Sequence, residues 1–166
     1  MILICYDGSA DAKAAIERGA ELLAGQPATV VTVWQPSFQV LAYAPSGFGV
    51  PPAVPDFQEM DRVGRQNAEE QAQEGAELAR AAGFDAQARS CSEITTIPEA
   101  ILDAADAVGA GAILMGSRGL TGLKSVLLGS VTHGVIRHAD RVVIVVPSPG
   151  VAASRVRGRE AVHESS

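Results

Sequence analysis

The sequence predicts an α/β domain with a five-stranded, mainly parallel sheet and helices on both faces. Apolar runs of strand length alternate along the chain with longer segments in which small apolar residues recur every three or four positions. Most of the strand runs are apolar throughout, as strands buried on both faces are. Most of the connections are short, which favours right-handed crossovers between neighbouring parallel strands. The 166 residues, 47 % of them hydrophobic, are enough for one such core.

The first strand is predicted at residues 1–6, a continuous apolar run that the turn at 7–9 ends. Ser9 is a favourable N-cap for the first helix, because its hydroxyl can accept a hydrogen bond from a backbone N–H of the first turn. Apolar residues at helical spacing continue to Leu23, and a glycine and a proline then end the helix. Residues 28–34 form a β-branched run and are predicted to be a second interior strand.

One long connection, residues 35–56, has neither helical nor strand periodicity and holds more than half of the chain's nine prolines. A connection of this length in a compact domain is usually a functional lid or a mobile segment. A mobile loop, a lid over a ligand and a partner-binding surface are all open interpretations of it.

The second half of the predicted sheet follows this loop. Residues 61–82 have helical spacing, and residues 84–90 alternate apolar and polar side chains, as an edge strand with one exposed face does. Thr96 is predicted to cap a third helix over residues 97–108, with a proline and a glutamate in its first turn. The apolar run at 111–115 is the fourth predicted strand.

Three glycines follow the fourth strand in the spacing Gly116-x2-Gly119-x9-Gly129-Ser130, and a helix is predicted directly afterwards at 131–139. A glycine-rich loop between a strand and a helix lets backbone N–H groups and the positive end of the helix converge on an anion. The stretch therefore predicts a phosphate site, with a plain strand-to-helix turn as the alternative.

Two other phosphate-binding fingerprints are absent from the sequence. A P-loop requires a glycine directly before the lysine, and Leu123 stands before Lys124. A dinucleotide-binding motif requires a third glycine after Gly109-x-Gly111, where the sequence has Leu114. Neither a P-loop NTPase nor a dinucleotide-binding dehydrogenase is predicted.

The glycine spacing, complete at all four positions, resembles the ATP-binding signature of the universal stress protein family. Residues 1–9, 98–102 and 142–147 are also similar to that family, so the resemblance covers residues 1–148 and leaves 149–166 as a tail that is expected to be disordered. The resemblance implies one domain with strand order 3-2-1-4-5 and a Rossmann-like fold similar to that of adenine nucleotide α-hydrolases. The half-polar pattern of the third strand agrees with an edge position in that order.

In this strand order the chain reverses its direction across the sheet between strands 1 and 4, and ligands bind at such switch points. The glycines are expected to let the backbone approach a phosphate, and their neighbours to add side-chain or N–H contacts. These candidate residues are Gly116, Ser117, Arg118, Gly119, Gly129, Ser130, Val131 and Thr132. A solvated side chain is the alternative for Arg118, and Lys124 is either solvated or pairs with terminal phosphates.

The other site residues are implied by the resemblance. Asp7 matches a family position at the nucleotide site, where it would hold the ribose or a Mg2+ ion that bridges the phosphates; its alternative role is hydrogen bonding in the turn. Val33 matches the position whose backbone meets adenine, and the base pocket would be walled by Cys5, Tyr6 and Met115. ATP and Mg2+ are the implied ligands.

The last predicted strand, residues 141–146, is apolar from Val142 to Val146 although it lies at an edge in this order. An unprotected apolar edge invites pairing with another strand, so a two-fold homodimer through Val142 to Val146 is predicted. Universal stress proteins commonly form dimers of this kind, and the resemblance supports the inference.

Composition and charge argue against several other functions. A net charge of −6 disfavours a nucleic-acid surface, and no apolar run approaches the roughly 20 residues that span a membrane. The N-terminus lacks the basic start of a signal peptide, and the two cysteines suggest neither a disulfide framework nor a metal site, so a cytoplasmic protein is predicted. The three histidines form no recognisable pair with a nucleophile.

The preferred hypothesis is an ATP-binding universal stress protein whose nucleotide state regulates a stress response, with slow or no hydrolysis. The sequence supplies a phosphate cradle without a recognisable base for hydrolysis. The alternatives are an enzyme of the adenine-nucleotide α-hydrolase type and a dimeric interaction module without a ligand. Valine at Gly116 or at Gly129 is expected to abolish ATP binding while the fold survives.

Overall fold

A computed structural model describes residues 1–37, 56–119, 128–147, 150 and 152–153. The expectations for residues 38–55, for Lys124 and for most of the tail lie outside these residues. Strands and helices alternate along the described part of the chain in the order β1 (Ile2–Cys5), α1 (Ala10–Leu23), β2 (Pro27–Trp34), α2 (Phe57–Ala81), β3 (Asp85–Ser92), α3 (Ile97–Ala107), β4 (Ala112–Gly116), α4 (Ser130–His138) and β5 (Val142–Val146).

The strands of this sheet pair in parallel in the order β3-β2-β1-β4-β5, which confirms the predicted order. β1 lies at the centre, where Leu3 is in register with Thr29 of β2 on one side and with Ile113 of β4 on the other. The chain proceeds from β1 to β2 and β3 in one direction and from β4 to β5 in the other. The carboxyl ends of β1 and β4 therefore border the switch point at which sheets of this kind bind ligands.

Helices cover both faces of the sheet, as predicted. α1 and α2 pack on one face in a core cluster that includes Ile4 and Ala76, and α3 and α4 pack on the other face in a cluster that includes Ile101 and Val135. Leu3 and Ile4 are fully buried on opposite faces, so the middle of β1 is closed to solvent from both sides. No helix in the described ranges is long and apolar enough to cross a membrane.

Two elements differ from their predicted bounds by more than one residue. α2 begins four residues before the predicted start, because Asp56 at the end of the proline-rich connection is its N-cap. The Asp56 carboxylate accepts hydrogen bonds from two N–H groups of the first turn at 3.1 and 3.2 Å. β3 continues two residues beyond the predicted end, to Ser92, because its last residues pair with β2 as far as Trp34. The other bounds agree to within one residue.

The two edges of the sheet differ in chemistry. β3 exposes polar side chains such as Gln87 and Arg89, which suit an edge in contact with water. β5 is apolar throughout: Val142 is 61 % exposed, the three residues after it are half-buried, and Val146 is buried. Within the described residues no strand pairs with the outer side of β5.

Candidate functional site

The glycine turn, residues 116–119, follows β4 at the switch point of the sheet. Asp7 follows β1 and lies against this turn, because a Cβ atom added to Gly119 would lie 2.6 Å from the Asp7 Oδ2 atom. The start of α4 also meets the turn, since a Cβ atom on Gly129 would lie 3.3 Å from the Cα atom of Arg118. The fold thus brings Asp7, the glycine turn and the N-terminus of α4 together.

Hydrogen bonds to α4 and to β5 hold the glycine turn in place. The Gly129 N–H donates to the Ser117 carbonyl at 2.8 Å, and the Thr132 hydroxyl donates to the Gly116 carbonyl at 3.1 Å. The Ser117 N–H donates to the Val146 carbonyl at 2.9 Å. Because these partners belong to two neighbouring elements, the shape of the turn is set by the fold itself.

The N-terminus of α4 differs from those of α1, α2 and α3. Side-chain oxygens of Ser9, Asp56 and Thr96 cap the other three helices, in agreement with the predictions for Ser9 and Thr96. The N-cap of α4 is Gly129, and no side chain of the described residues caps this helix. The first N–H groups of α4 and the positive end of its dipole therefore lie beside the glycine turn without a side-chain acceptor. A helix terminus of this kind favours an anion.

Gly116 has a packing role in addition to its place in the turn. A Cβ atom at this position would lie 2.8 Å from both the carbonyl carbon and the carbonyl oxygen of Asp11 in α1. These are backbone atoms, which cannot move aside as the end of a flexible side chain can, so a larger residue would push α1 away from β4. Valine at Gly116 is therefore expected to destabilise the fold, in contrast to the expectation from the sequence, so this variant does not test nucleotide binding alone.

Asp7 shapes the turn after β1 while it borders the candidate site. Its Oδ1 atom accepts a hydrogen bond from the Ser9 N–H at 3.0 Å, which is the turn role considered as the alternative to ligand binding. Its Oδ2 atom is the one that leaves no room for a side chain at Gly119. The two oxygens thus have different surroundings, one within the turn and one against the glycines.

Two of the hydroxyl groups expected to contact a phosphate have partners inside the protein. Ser117 is buried and donates to the Oδ2 atom of Asp11 at 3.1 Å, while buried Thr132 donates to Gly116 as described above. Both hydroxyls therefore hold the glycine turn in place. Ser130 is exposed at the start of α4, and its hydroxyl is accessible to a ligand.

Asp11 is a residue of this region that sequence reasoning missed. It lies in the first turn of α1, where an acidic residue is ordinarily explained by the helix dipole alone. In the structure it is buried, accepts a hydrogen bond from Ser117, and has its Oδ2 atom 3.8 Å from the Nε atom of Arg118. The 106 positions between Asp11 and Ser117 leave no local pattern that would pair them.

The residues expected to surround an adenine divide between the two faces of the sheet. Cys5, Val33 and Met115 belong to, or pack against, the core cluster of α3 and α4 at the carboxyl ends of β1, β2 and β4. Tyr6 belongs to the opposite cluster, and its hydroxyl donates to Glu74 of α2 at 2.8 Å. The structure groups three of these residues and places the Tyr6 ring on the other face.

The strand order and the glycine spacing are both those expected for one protein family. The sequence model of the universal stress protein family matches residues 1–147. The chain belongs to the universal stress protein family. Universal stress protein MJ0577 of Methanocaldococcus jannaschii is 48 % identical to it over 48 residues, a segment that makes up 29 % of this chain and 30 % of that protein.

Solved structures of similar proteins have the same fold. The structure of hypothetical protein MJ0577 aligns with a TM-score of 0.66 at 24 % identity, over 88 % of this chain and 94 % of that one. A universal stress protein from Archaeoglobus fulgidus in complex with dAMP aligns with a TM-score of 0.54 at 22 % identity, over 87 % and 94 % of the two chains. A universal stress protein in complex with cAMP aligns with a TM-score of 0.57 at 21 % identity, over 89 % and 95 %.

This universal stress protein has three titratable side chains with raised pKa values near the carboxyl end of its sheet, of which Tyr6 is buried and Cys5 and Cys91 are half-buried. Burial is the main cause that raises the pKa of Cys5 to about 12, with smaller contributions from the nearby Cys91 and Asp7. Burial also raises the pKa of Cys91, and burial together with the hydrogen bond to Glu74 raises the pKa of Tyr6. The two thiols are therefore protonated at neutral pH and act as packing groups rather than as nucleophiles.

The raised pKa of Cys5 predicts a loss of stability in alkaline solution. The folded protein holds the thiol proton up to about pH 12, whereas an unfolded chain releases it near its ordinary value of 9.0. The stabilisation is thus complete below pH 9 and is lost as the pH rises, by roughly 1 kcal/mol between pH 9 and pH 10. Urea unfolding of the reduced protein at pH 8, 9 and 10 measures this fall, and Cys5→Ala is expected to make it shallower. If the free energy of unfolding falls equally with pH in the natural protein and in Cys5→Ala, Cys5 is not the cause of the fall.

Proposed function

We propose that this universal stress protein binds an adenine nucleotide, ATP with Mg2+, against the glycine turn and the N-terminus of α4. The observation that carries the proposal is the α4 terminus, which no side chain of the described residues caps and which lies against the glycine turn. The two relatives in complex with dAMP and cAMP have this fold, which supports adenine as the base.

Each part of the nucleotide is assigned to a different part of the site. The phosphates accept hydrogen bonds from the first N–H groups of α4 and from the exposed hydroxyl of Ser130. The base lies beside Cys5, Val33 and Met115, which the fold groups at the carboxyl ends of three adjacent strands. Asp7 borders the glycines and holds the ribose or the metal ion.

Asp7 fits a Mg2+ ion that arrives with the nucleotide. Mg2+ usually binds a protein through one or two carboxylates and completes its coordination with phosphate oxygens and water. In the described ranges, no group of three or more histidine, cysteine, aspartate or glutamate side chains is placed to hold a metal ion. Asp7 would be the protein ligand of such an ion, phosphate oxygens and water would complete its coordination, and the ion would neutralise part of the phosphate charge.

The output of the protein is its nucleotide state, as suits a regulator of the stress response, rather than rapid turnover. Hydrolysis of ATP needs a positioned water or base and groups that stabilise the charge of the transition state. The carboxylate of Asp7 accepts a hydrogen bond from Ser9, and that of Asp11 accepts one from Ser117. Both acids thus have a part in holding the site together, and the proposal includes slow or no hydrolysis.

Calorimetric titration with Mg-ATP tests this proposal. The purified protein is first stripped of any nucleotide that accompanied it, and that nucleotide is identified. Saturable binding of one ATP per chain is the expected result. Absence of binding up to millimolar ATP, with circular dichroism showing folded protein, would mean that the glycine turn is only a structural turn.

The apolar edge strand β5 supports the second part of the proposal, a homodimer formed through Val142 to Val146. Within the described ranges no strand pairs with the outer edge of β5, and an edge of this kind between valine and isoleucine side chains favours pairing with a second copy. The polar edge at β3 has no comparable apolar surface. A two-fold axis beside β5 would join the two sheets into one.

A charge in β5 is expected to prevent this association. Ile144→Lys is expected to give monomer or insoluble protein, since Ile144 also packs against the core cluster of α1 and α2. Val142→Lys separates assembly from folding, because Val142 is 61 % exposed and a lysine there costs little in the single chain. Sedimentation equilibrium is expected to show a dimer for the natural sequence and a folded monomer for Val142→Lys. A Val142→Lys protein with the mass of a dimer would contradict pairing through this strand.

A further inference from the structure

Gln35 and Glu93 form a hydrogen-bonded pair directly beyond the carboxyl ends of β2 and β3. The last residues of these two strands in register are Trp34 and Ser92. The Glu93 N–H continues the ladder by donating to the Trp34 carbonyl at 2.8 Å. Gln35 and Glu93 are thus the next cross-strand pair, and the Gln35 Nε2 atom donates to the Glu93 Oε2 atom at 2.6 Å.

This pair lies next to the residues assigned to the base. The cross-strand pair two positions earlier is Val33 and Cys91, and both of these side chains pack against the core cluster of α3 and α4. Side chains alternate between the faces of an extended chain, so Gln35 and Glu93 belong to the same face as Val33 and Cys91. Two extended residues span about 7 Å. A base beside Val33 would therefore have one edge toward Gln35.

The hydrogen bond to Glu93 fixes the orientation of the Gln35 amide. A carboxylate accepts hydrogen bonds and does not donate them, so the amide NH2 group points to Glu93 and the carbonyl oxygen, Oε1, points away from it. Glu93 is buried, whereas Gln35 is exposed. Gln35 thus presents a hydrogen-bond acceptor on the side that a ligand can reach.

The backbone around Gln35 is also held in place. Trp34 on one side of it belongs to β2. On the other side, the N–H and the hydroxyl of buried Ser37 donate to the Oδ1 atom of Asp61 in α2, at 2.7 and 2.6 Å. The acceptor at Gln35 therefore has a fixed position as well as a fixed orientation, which is what discrimination between similar ligands requires.

We infer that Gln35 selects adenine over purines that have a carbonyl oxygen in place of the exocyclic amino group. The inference rests on the proposed nucleotide site. The amino group of adenine is a donor, and guanine has an acceptor oxygen at the same position. The Gln35 carbonyl oxygen accepts from the amino group and repels the oxygen. Glu93 is a positioning residue, because it keeps the amide from turning over and offering its NH2 group to guanine.

Calorimetry with Mg-ATP and Mg-ITP tests this inference, because ITP has a carbonyl oxygen where ATP has the amino group. The dissociation constant for ITP is expected to exceed that for ATP at least about tenfold in the natural protein. Gln35→Ala removes an exposed side chain and is expected to lower this ratio at least about fivefold. Gln87→Ala is the matched control: Gln87 is also exposed, near the other end of β3, and the ratio is expected to stay unchanged.

Two further variants test the role of Glu93. In Glu93→Gln the partner can donate as well as accept, so the Gln35 amide is free to turn and the ratio is expected to fall. In the double variant Gln35→Glu, Glu93→Gln the carboxylate and the amide change places. The carboxylate at position 35 then accepts from the amide and still offers an oxygen to the base, so the ratio is expected to be at least about threefold higher than in Glu93→Gln.

The outcomes separate this inference from the proposed function. Failure of the natural protein to bind ATP overturns both. Binding of ATP and ITP with equal affinity overturns the inference and leaves nucleotide binding intact. A preference for ATP that is unchanged in folded Gln35→Ala shows that another group selects the base. A ratio that stays low in the double variant overturns the positioning role of Glu93.

Discussion

Replacement of Gly129 by valine is expected to lower the affinity for Mg-ATP at least about 100-fold while the protein stays folded. The backbone of Gly129, with φ −70° and ψ 158°, has a conformation that any residue adopts, so valine introduces no backbone strain. Its Cβ atom would lie 3.3 Å from the Cα atom of Arg118 and 3.5 Å from the Ser117 carbonyl oxygen. The methyl groups beyond it would either separate α4 from the glycine turn or occupy the space assigned to a phosphate. Calorimetry measures the affinity, and circular dichroism the fold.

Gly111→Val is the matched control for this variant. Gly111 precedes β4 at the opposite end of the strand from the glycine turn, and no atom lies within 4 Å of a Cβ atom added there. The same glycine-to-valine change is therefore expected to leave the affinity for Mg-ATP within about twofold of that of the natural protein. An unchanged affinity for Mg-ATP in folded Gly129→Val would show that the start of α4 is not part of the nucleotide site.

Replacement of Gly116 by valine is expected to reduce the free energy of unfolding by about 3 kcal/mol, at the upper end of the usual cost of overpacking a core. A Cβ atom at Gly116 would lie 2.8 Å from the backbone of Asp11, and relief requires a shift of all of α1. For a chain of 166 residues this corresponds to a fall in Tm of roughly 10 °C. Thermal unfolding of Gly116→Val and of Gly111→Val under the same conditions measures the difference in Tm between the two variants. A Gly116→Val protein as stable as Gly111→Val would show that α1 and β4 do not approach each other this closely.

The strands were predictable because burial leaves a local pattern. Leu3 and Ile4 face opposite core clusters, so consecutive residues have to be apolar, and the run at the start of the chain shows it. The alternation in β3, with Ala86 buried between exposed Asp85 and Gln87, indicates an edge in the same way. The strand order itself came from the family resemblance, with which these patterns agree.

The contacts that shape the site were not predictable in this way, because they join residues far apart in the sequence. Glycine spacing located the turn, but the atoms that exclude a side chain at Gly116 belong to α1. The buried hydrogen bond between Asp11 and Ser117 depends on how α1 crosses β4. Tyr6 comes directly after the last residue of β1, and its ring lies on the side of the sheet where its hydroxyl donates to Glu74 of α2. Each of these depends on packing between elements, for which a single sequence holds no periodic pattern.

Nuclear magnetic resonance of the 15N-labelled natural protein during titration with Mg-ATP tests the location of the site most directly. The chain of 17.1 kDa is small enough for its amide resonances to be followed one by one. The largest shifts are expected at Gly119, Gly129, Ser130 and Val131, with small shifts at Gly111 at the other end of the sheet. The absence of shifts at millimolar Mg-ATP, or shifts concentrated away from the glycine turn and α4, would contradict nucleotide binding at this site.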